Sequence, residues 1–201
     1  MEREDSQNIE SRTGRLFGDL WHHLDEDQFE ESSALFASRF EANGFDLSWF
    51  KGKQCLDVGC GGGLLSELMS KAGGRVLGID AGHAQVSVAT LHARDAGVTL
   101  EYEQTTAEQL RDRNNDPFDL VTCMELLEHV PDPFSVVRAC AELLHPGGKV
   151  IFSTINRSLG AWLKTIVAAE HVLGLLPKGT HRYENFIRPA ELAAWGRAAN
   201  L

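Results

Sequence analysis

The chain has 201 residues, of which 43% are hydrophobic and 24% are charged. This length and balance are typical of a single globular domain with an added cap, and they exclude a largely disordered, collagen-like or multi-span membrane protein. The formal net charge of −10 disfavours nonspecific attraction to a phosphate backbone, so we expect no nucleic acid partner.

Residues 1–50 are predicted to form a helical N-terminal cap. Between residues 16 and 50, apolar residues recur at the spacing of a helix. The acidic start of the chain has neither the basic stretch nor the hydrophobic core of a secretory signal. The four cysteines contain no Cys-x-x-Cys pair, which favours reduced thiols in the cytoplasm.

Residues 51–201 are predicted to form the main domain, in which short apolar runs alternate with helical segments. This alternation predicts an α/β fold with a doubly wound, mostly parallel sheet. Strands are predicted over 55–58, 76–79, 99–103, 118–123 and 149–154. Helices are predicted over 64–72, 84–96, 107–111, 133–144 and 189–199.

A glycine-rich loop follows the first predicted strand and opens a helix. In this loop, residues 57–63 read Asp-Val-Gly-Cys-Gly-Gly-Gly, so backbone N–H groups and a positive helix end would face a ligand. A dinucleotide fingerprint would need glycine where Leu64 stands, which makes a nicotinamide cofactor the weakest interpretation. Asp80 ends the second strand, where a carboxylate accepts hydrogen bonds from ribose hydroxyls, and a helix cap is its alternative role.

Three residues able to carry chemistry follow the fourth predicted strand. On a helix, Glu125, Glu128 and His129 would share one face, so we expect them to converge beside the glycine loop. A hydroxyl group that must lose its proton before it attacks needs either a base or a metal ion. Two carboxylates and an imidazole suit Mg²⁺ or Mn²⁺. The alternatives are that His129 takes the proton directly, or that the acids are only solvated.

A family resemblance is carried by six runs of sequence: LDVGCGGG, GID, CMELLEHVPDP, HPGGKVIFSTINR, LPKGTH and FIRPAEL. They resemble class I S-adenosylmethionine-dependent methyltransferases, and more narrowly the O-methyltransferases of ubiquinone biosynthesis. The resemblance covers residues 55–195. It implies a Rossmann-like fold, S-adenosylmethionine as cofactor, and methylation of a phenolic hydroxyl on a polyprenylated catechol-type substrate.

The resemblance also implies roles for individual residues. It makes Glu125, Glu128 and His129 a set of catalytic residues and the ligands of a divalent cation, Mg²⁺ first. An arginine of the family meets the methionyl carboxylate, and Arg39 is its counterpart here. The alternative is that Arg39 is an ordinary surface arginine. The implied cofactor-binding residues are Arg39, Asp57, Gly59, Gly61, Asp80 and Met124.

Residues 158–188 are predicted to form a lid or a membrane-facing segment. Residues 157–188 hold five basic and two acidic residues, and charges interrupt the apolar run, so it is a poor transmembrane span. Lying in the headgroup plane, residues 159–188 would bring the enzyme to a polyprenylated substrate, and a lid over the site is compatible with this. We therefore expect peripheral contact with the cytoplasmic membrane face, or with the mitochondrial matrix face in a eukaryote, and a place in a complex of ubiquinone biosynthesis.

The resemblance weakens at both ends of the chain. Class I methyltransferases usually finish with a sixth and seventh strand as an antiparallel hairpin, and we expect this C-terminal hairpin to be missing here. Residues 19–23 only loosely match the Arg-Trp-Trp-Asp-like stretch of the family, so the substrate ring is less firmly predicted than the reaction. A methyltransferase acting on nitrogen or carbon, and a noncatalytic cofactor-binding module, stay open as alternatives.

Overall fold

The computed structural model describes residues 26–42, 44–113, 116–158 and 183–201. The predictions for the beginning of the cap, and for most of the lid or membrane-facing segment, therefore lie outside the described residues. No helix in the described part of the chain is both long and apolar enough to cross a membrane.

Within the described residues, five parallel strands form one sheet in the order β3-β2-β1-β4-β5. The chain moves outward from β1 to β3 and then returns to the other side of β1, so the direction of winding reverses between β1 and β4. Ligands of doubly wound sheets bind at this reversal, outside the carboxyl ends of the strands. The predicted sheet is confirmed, with the strands β1 Gln54–Val58, β2 Arg75–Asp80, β3 Glu101–Gln104, β4 Phe118–Met124 and β5 Leu144–Ser153.

The α-helices of the described residues also agree with the predicted helical segments. Local chemistry explains where they begin. Thr106 and Gln109 form a capping box that starts one helix, and Asp132 accepts a hydrogen bond from the backbone of Ser135 to start another. The helices are α1 Glu26–Ala42, α2 Leu64–Lys71, α3 His83–Asp95, α4 Ala107–Asp112, α5 Pro133–Glu142 and α6 Pro189–Ala198.

Alternate side chains of the central strands fill two hydrophobic clusters, one on each face of the sheet. Leu56 of β1 and Val121 of β4 belong to the cluster covered by α4, α5 and α6. Their neighbours Cys55 and Leu120 belong to the other cluster, which α1 and α2 cover. Because successive side chains of a strand point to opposite faces, these assignments describe helices on both sides of a parallel sheet. This is the Rossmann-like arrangement that the resemblance implies.

The described part of the predicted cap consists of α1 and a 3-10 turn, Leu47–Phe50. Edge-to-face aromatic pairs link the two, with ring centroids between 5.6 and 6.0 Å apart. Phe40 and Phe50 are buried in the same cluster as β1. The cap therefore shares its core with the sheet, and the division of the chain at residue 50 stays a prediction.

The prediction was wrong at the start of β5. The strand was expected to begin at residue 149, and it begins at Leu144. Its pairing with β4 passes from Phe118 opposite Leu144 to Leu120 opposite Lys149, so the residues between bulge out of the ladder. The bulge contains the sequence Pro146-Gly147-Gly148, and these residue types favour a loop as well as a bulge, so local sequence does not place the start of the strand.

Candidate functional site

The glycine loop lies between β1 and α2, as predicted. The backbone N–H groups of Gly59 and Cys60 both donate to the carbonyl oxygen of Ile79, at 2.8 and 3.0 Å, which ties the loop to β2. Gly59, Gly61 and Gly63 have φ values of 73°, 54° and 89°, in the left-handed region that glycine adopts without strain. Helix α2 begins directly after Gly63, its N-cap, which has no side chain to cap the first turn.

Asp80, at the end of β2, joins the glycine loop to the start of α3. One carboxylate oxygen accepts the N–H of Gly61 at 3.1 Å, and the other accepts the N–H of Gly82 at 2.8 Å. Burial raises the pKa of Asp80, while these two hydrogen bonds act in the opposite direction. Each oxygen can accept a further hydrogen bond, so a ribose contact is compatible with this geometry and stays a prediction.

Asp57 lies beneath the loop, in the interior of the protein. It is 2% exposed and accepts hydrogen bonds from Ser66 Oγ at 2.7 Å and Thr122 Oγ1 at 2.8 Å. Burial raises its pKa to about 6, against the lowering effect of the two hydroxyl groups. Asp57 thus links β1 to α2 and β4, and a direct contact with a cofactor stays a prediction.

Residues 125–129 after β4, here called the acidic turn, do not form the helix that the spacing of Glu125, Glu128 and His129 suggested. Glu125 has a φ of 52°, which is outside the helical region, and Leu127–His129 forms only a single 3-10 turn. The expectation of a shared helical face was therefore wrong. Pro131 limits any helix here, because proline disfavours the helical conformation in the residue before it, and Val130 is extended.

The end of β5 nevertheless holds the two acids of this turn. Ser153 Oγ donates to Glu125 Oε1 at 2.6 Å, and Thr154 Oγ1 donates to Glu128 Oε2 at 2.8 Å. Glu125 is exposed, whereas Glu128 is 3% exposed. Burial raises the pKa of Glu128 to about 7, although the hydrogen bond from Thr154 lowers it. The nearby carboxylate of Glu125 raises it further. The structure therefore gives the two acids different environments.

The donor set of the acidic turn fits a divalent cation in part. The buried Oε1 atom of Glu128 has no hydrogen-bond partner within the described residues, and a hard carboxylate oxygen is a ligand that Mg²⁺ prefers. In the same described ranges, however, no group of three or more His, Cys, Asp or Glu side chains is arranged to hold an ion. His129 is half-buried beside the acids. The three-residue ligand set stays a prediction.

The acidic turn packs directly on the glycine loop. A Cβ atom added at Gly59 would lie only 3.0 Å from Cδ2 of Leu126, which follows Glu125. The contact arises because β1 and β4 are parallel neighbours in the sheet, so both strands end at the same edge. Met124, the last residue of β4, is half-buried there, and the side chain of Arg39 lies outside the described residues.

Several residues that shape the site were not found from the sequence. The hydroxyl of Tyr102 donates to the carbonyl oxygen of Gly63 at 3.3 Å, and its ring lies against Gly78. Glycine inside a strand is a signal of such a close approach. The two hydroxyl residues at the end of β5 carried a weaker signal, their place at the carboxyl end of a strand. The residues that were missed are Ser66, Tyr102, Thr122, Leu126, Ser153 and Thr154.

Comparisons with known proteins agree with this geometry. A family model described as a methyltransferase domain matches residues 20–201. The ubiquinone biosynthesis O-methyltransferase of Pseudomonas fluorescens (strain SBW25) is 56% identical over 150 residues, which are 75% of this chain and 65% of that protein. The protein of the same name from Pseudomonas putida (strain GB-1) is 52% identical over 172 residues, 83% of this chain and 74% of that protein.

Solved structures resemble the chain in fold. The magnesium protoporphyrin IX methyltransferase from Synechocystis PCC 6803, solved with bound SAH, superposes with a TM-score of 0.64 at 20% identity, covering 88% of this chain and 78% of that one. The YcgJ protein from Bacillus subtilis superposes with a TM-score of 0.61 at 24% identity, covering 85% and 68%. At these identities the likeness shows a common fold alone.

Proposed function

The chain belongs to the methyltransferase-domain family, and from this premise we propose that it transfers the methyl group of S-adenosylmethionine to an oxygen atom of a small phenolic molecule. The contact between the glycine loop and the acidic turn carries the proposal, because it brings a nucleoside-type binding loop and proton-accepting side chains to one crevice. The chain spans 65% of the length of the Pseudomonas fluorescens relative, so the activity of the whole protein is part of the proposal.

The substrate that we propose is a polyprenylated catechol-type intermediate of ubiquinone biosynthesis. The names of the Pseudomonas relatives, at 52% and 56% identity, support this substrate class. The two carboxylates beside the loop support an acceptor whose hydroxyl group must lose a proton before it attacks.

In this mechanism the residues of the chain bind the cofactor, orient the acceptor and remove its phenolic proton. The loop N–H groups and Asp80 would hold the nucleoside part of the cofactor, with Met124 beside it and Arg39 proposed for the methionyl carboxylate. The bound sulfonium supplies an activated methyl group. The crevice must present the phenolic oxygen in line with that methyl group, because holding both reactants in place accounts for much of the rate. Glu128 or His129 would accept the phenolic proton.

The proposal includes a divalent cation, Mg²⁺ first, held by Glu125, Glu128 and His129. Bound there, the cation would stabilise a phenolate at neutral pH. The unpartnered Oε1 atom of Glu128 supports it, since a buried carboxylate oxygen without a partner destabilises the free protein. Dependence of acceptor binding on Mg²⁺, measured by calorimetry, tests this part separately from turnover.

Peripheral membrane contact through residues 159–188, and membership of a biosynthetic complex, are also part of the proposal. Most of this segment lies outside the described residues. Its end is described, and there Phe186 and Ile187 are buried against the body of the protein. Such anchoring suits a lid that also faces a membrane.

The proposal predicts that the purified chain binds S-adenosylhomocysteine and methylates a short-chain prenylated catechol. Asp80→Asn is expected to weaken cofactor binding by about 10- to 100-fold, because it removes a charged acceptor of hydrogen bonds. Isothermal titration calorimetry measures the affinity, and transfer of a labelled methyl group measures the activity. The matched control is Asp116→Asn, an exposed aspartate before β4, which should bind like the wild type.

The two measurements separate the possible failures. A folded chain that binds no S-adenosylhomocysteine would contradict the proposal as a whole. Cofactor binding without methyl transfer to any catechol would contradict the acceptor class alone. Undiminished activity after exhaustive chelation would contradict the role of the cation.

A further inference from the structure

We infer that Ser153 and Thr154 are positioning residues, which fix the carboxylates of Glu125 and Glu128 where the methyl acceptor enters the crevice. The inference rests on the proposed function, because it assigns roles within the same site. It concerns two hydroxyl groups that act through the acids and need no contact with the reacting atoms.

Ser153 holds both the backbone and the side chain of Glu125. The N–H of Glu125 donates to the carbonyl oxygen of Ser153 at 3.0 Å and to its Oγ at 3.2 Å, and the same Oγ donates to Glu125 Oε1 at 2.6 Å. Glu125 has a φ of 52°, a conformation that a residue other than glycine keeps only when its surroundings impose it. The three hydrogen bonds to Ser153 are such surroundings.

Thr154 holds the other acid by one oxygen and leaves the second oxygen bare. Its Oγ1 donates to Glu128 Oε2 at 2.8 Å, while Oε1 of the same carboxylate is buried without a hydrogen-bond partner in the described part of the chain. Anchoring one oxygen sets the direction of the other. Because an unpartnered buried oxygen is costly, a hydroxyl group or cation that reaches it gains a favourable contact.

The end of β5 explains how two consecutive residues reach two acids of the same turn. Within a strand, neighbouring side chains point to opposite faces. β5 ends at Ser153, so Thr154 has left the strand and does not have to follow that alternation. Ser153 and Thr154 therefore hold both acids at the edge of the sheet, where the acidic turn contacts the glycine loop.

The test replaces each hydroxyl group without changing the size of the side chain by much. Thr154→Val and Ser153→Ala are expected to lower kcat for a short-chain prenylated catechol, by about 10- to 100-fold for Thr154→Val, while the affinity for S-adenosylhomocysteine stays unchanged. Thr154→Ser keeps a donor and should recover most of the activity. The matched control is Thr90→Val on α3, where the hydroxyl group only bonds the carbonyl oxygen of Val86, and it should behave like the wild type.

Catechol binding, measured by calorimetry in the presence of S-adenosylhomocysteine, gives a second reading that does not need turnover. Weaker catechol binding by Thr154→Val than by Thr154→Ser would support the inference. Wild-type kcat and wild-type catechol binding in both Thr154→Val and Ser153→Ala would overturn it and leave the proposed function standing. If the variants lost cofactor affinity and thermal stability together with kcat, that result would also overturn the inference, because it would show a merely structural role. A wild-type chain that neither binds nor methylates catechols would reject the proposed function, and the inference with it.

Discussion

At the scale of single residues, the site depends on close approaches that only glycine permits. Gly78 lies within β2, where an added Cβ would be 2.5 Å from the ring of Tyr102 and 3.0 Å from Ser66 Oγ. Ser66 donates to the buried carboxylate of Asp57, and the Tyr102 hydroxyl donates to the carbonyl oxygen of Gly63, directly before α2. A side chain at position 78 would therefore disturb the support of the whole glycine loop.

Gly78→Ala is expected to lower the free energy of unfolding by about 1–3 kcal/mol, because the added methyl group overpacks this region. Urea denaturation measures the change. Gly196→Ala in α6 is the control, since its Cβ would meet only an ordinary contact at 3.8 Å. The control should be neutral or more stable by up to ~1 kcal/mol, because alanine is the better helix former. Wild-type stability of Gly78→Ala would mean that the ring of Tyr102 moves aside at no cost.

At the scale of secondary-structure elements, an aromatic stack fastens the cap helix to the main domain. The ring of Phe29 on α1 lies 3.8 Å from that of His92 on α3, with an angle of 22° between the planes. His92 Nδ1 lies 2.7 Å from Oε1 of Glu67, a completely buried residue of α2. One chain of contacts thus joins three helices, and one of them, α2, begins at the glycine loop.

Phe29→Ala is expected to lower the free energy of unfolding by about 3–5 kcal/mol, because Phe29 is almost fully buried. A double-mutant cycle with His92→Ala should give a coupling energy of about 0.5–1.5 kcal/mol, the range of stacked ring pairs. Leu35→Ala on the same helix is the control, since Leu35 is 53% exposed and should change stability by no more than ~0.5 kcal/mol. If the stability losses of Phe29→Ala and His92→Ala simply added in the double mutant, the stack would not hold the cap helix to the main domain.

At the scale of the whole molecule, a charged pair away from the site contributes to the pH dependence of stability. His145 lies in the bulge of β5, with Nε2 2.8 Å from Oδ1 of Asp119 on β4 and Nδ1 2.8 Å from the carbonyl oxygen of Pro146. Both partners only accept, so they favour the protonated ring, which can donate from both nitrogens. The hydrogen bond to Asp119 is the main cause that raises the pKa of His145, and nearby Lys53 slightly opposes it. The backbone N–H of Gln54 and then His145 lower the pKa of Asp119.

His145→Gln is expected to cost more stability near about pH 6 than near about pH 9. A pKa raised in the folded state gives stability that is fully present below the unfolded value of ~6.5 and is lost as the pH rises through the folded value. Urea denaturation at the two pH values measures the difference. In an Asp119→Asn background, His145→Gln should show much less of this pH dependence. A loss that is the same at both pH values would exclude the charged pair as its cause.

Local sequence patterns were sufficient to predict the order of the elements and the location of the glycine loop. Apart from the start of β5, the five strands and the helices α2 to α6 begin and end within two residues of their predicted positions, whereas the cap was predicted as helical without bounds for α1. Hydrophobic periodicity and local capping decide such boundaries, and both are visible in short stretches of sequence. The glycine loop and Asp80 at a strand end were visible for the same reason, since the chemistry of each depends on its immediate neighbours.

The conformation of the acidic turn and the contacts that support it could not be predicted in the same way. The spacing of Glu125, Glu128 and His129 suggested a helical face, whereas the structure has a left-handed residue followed by a 3-10 turn. The hydroxyl groups that hold the two acids stand 26 or more residues away along the chain. Contacts of this kind form only when β4 and β5 pair side by side. A local sequence pattern does not predict them, because the path of the whole chain decides which side chains become neighbours in a parallel sheet.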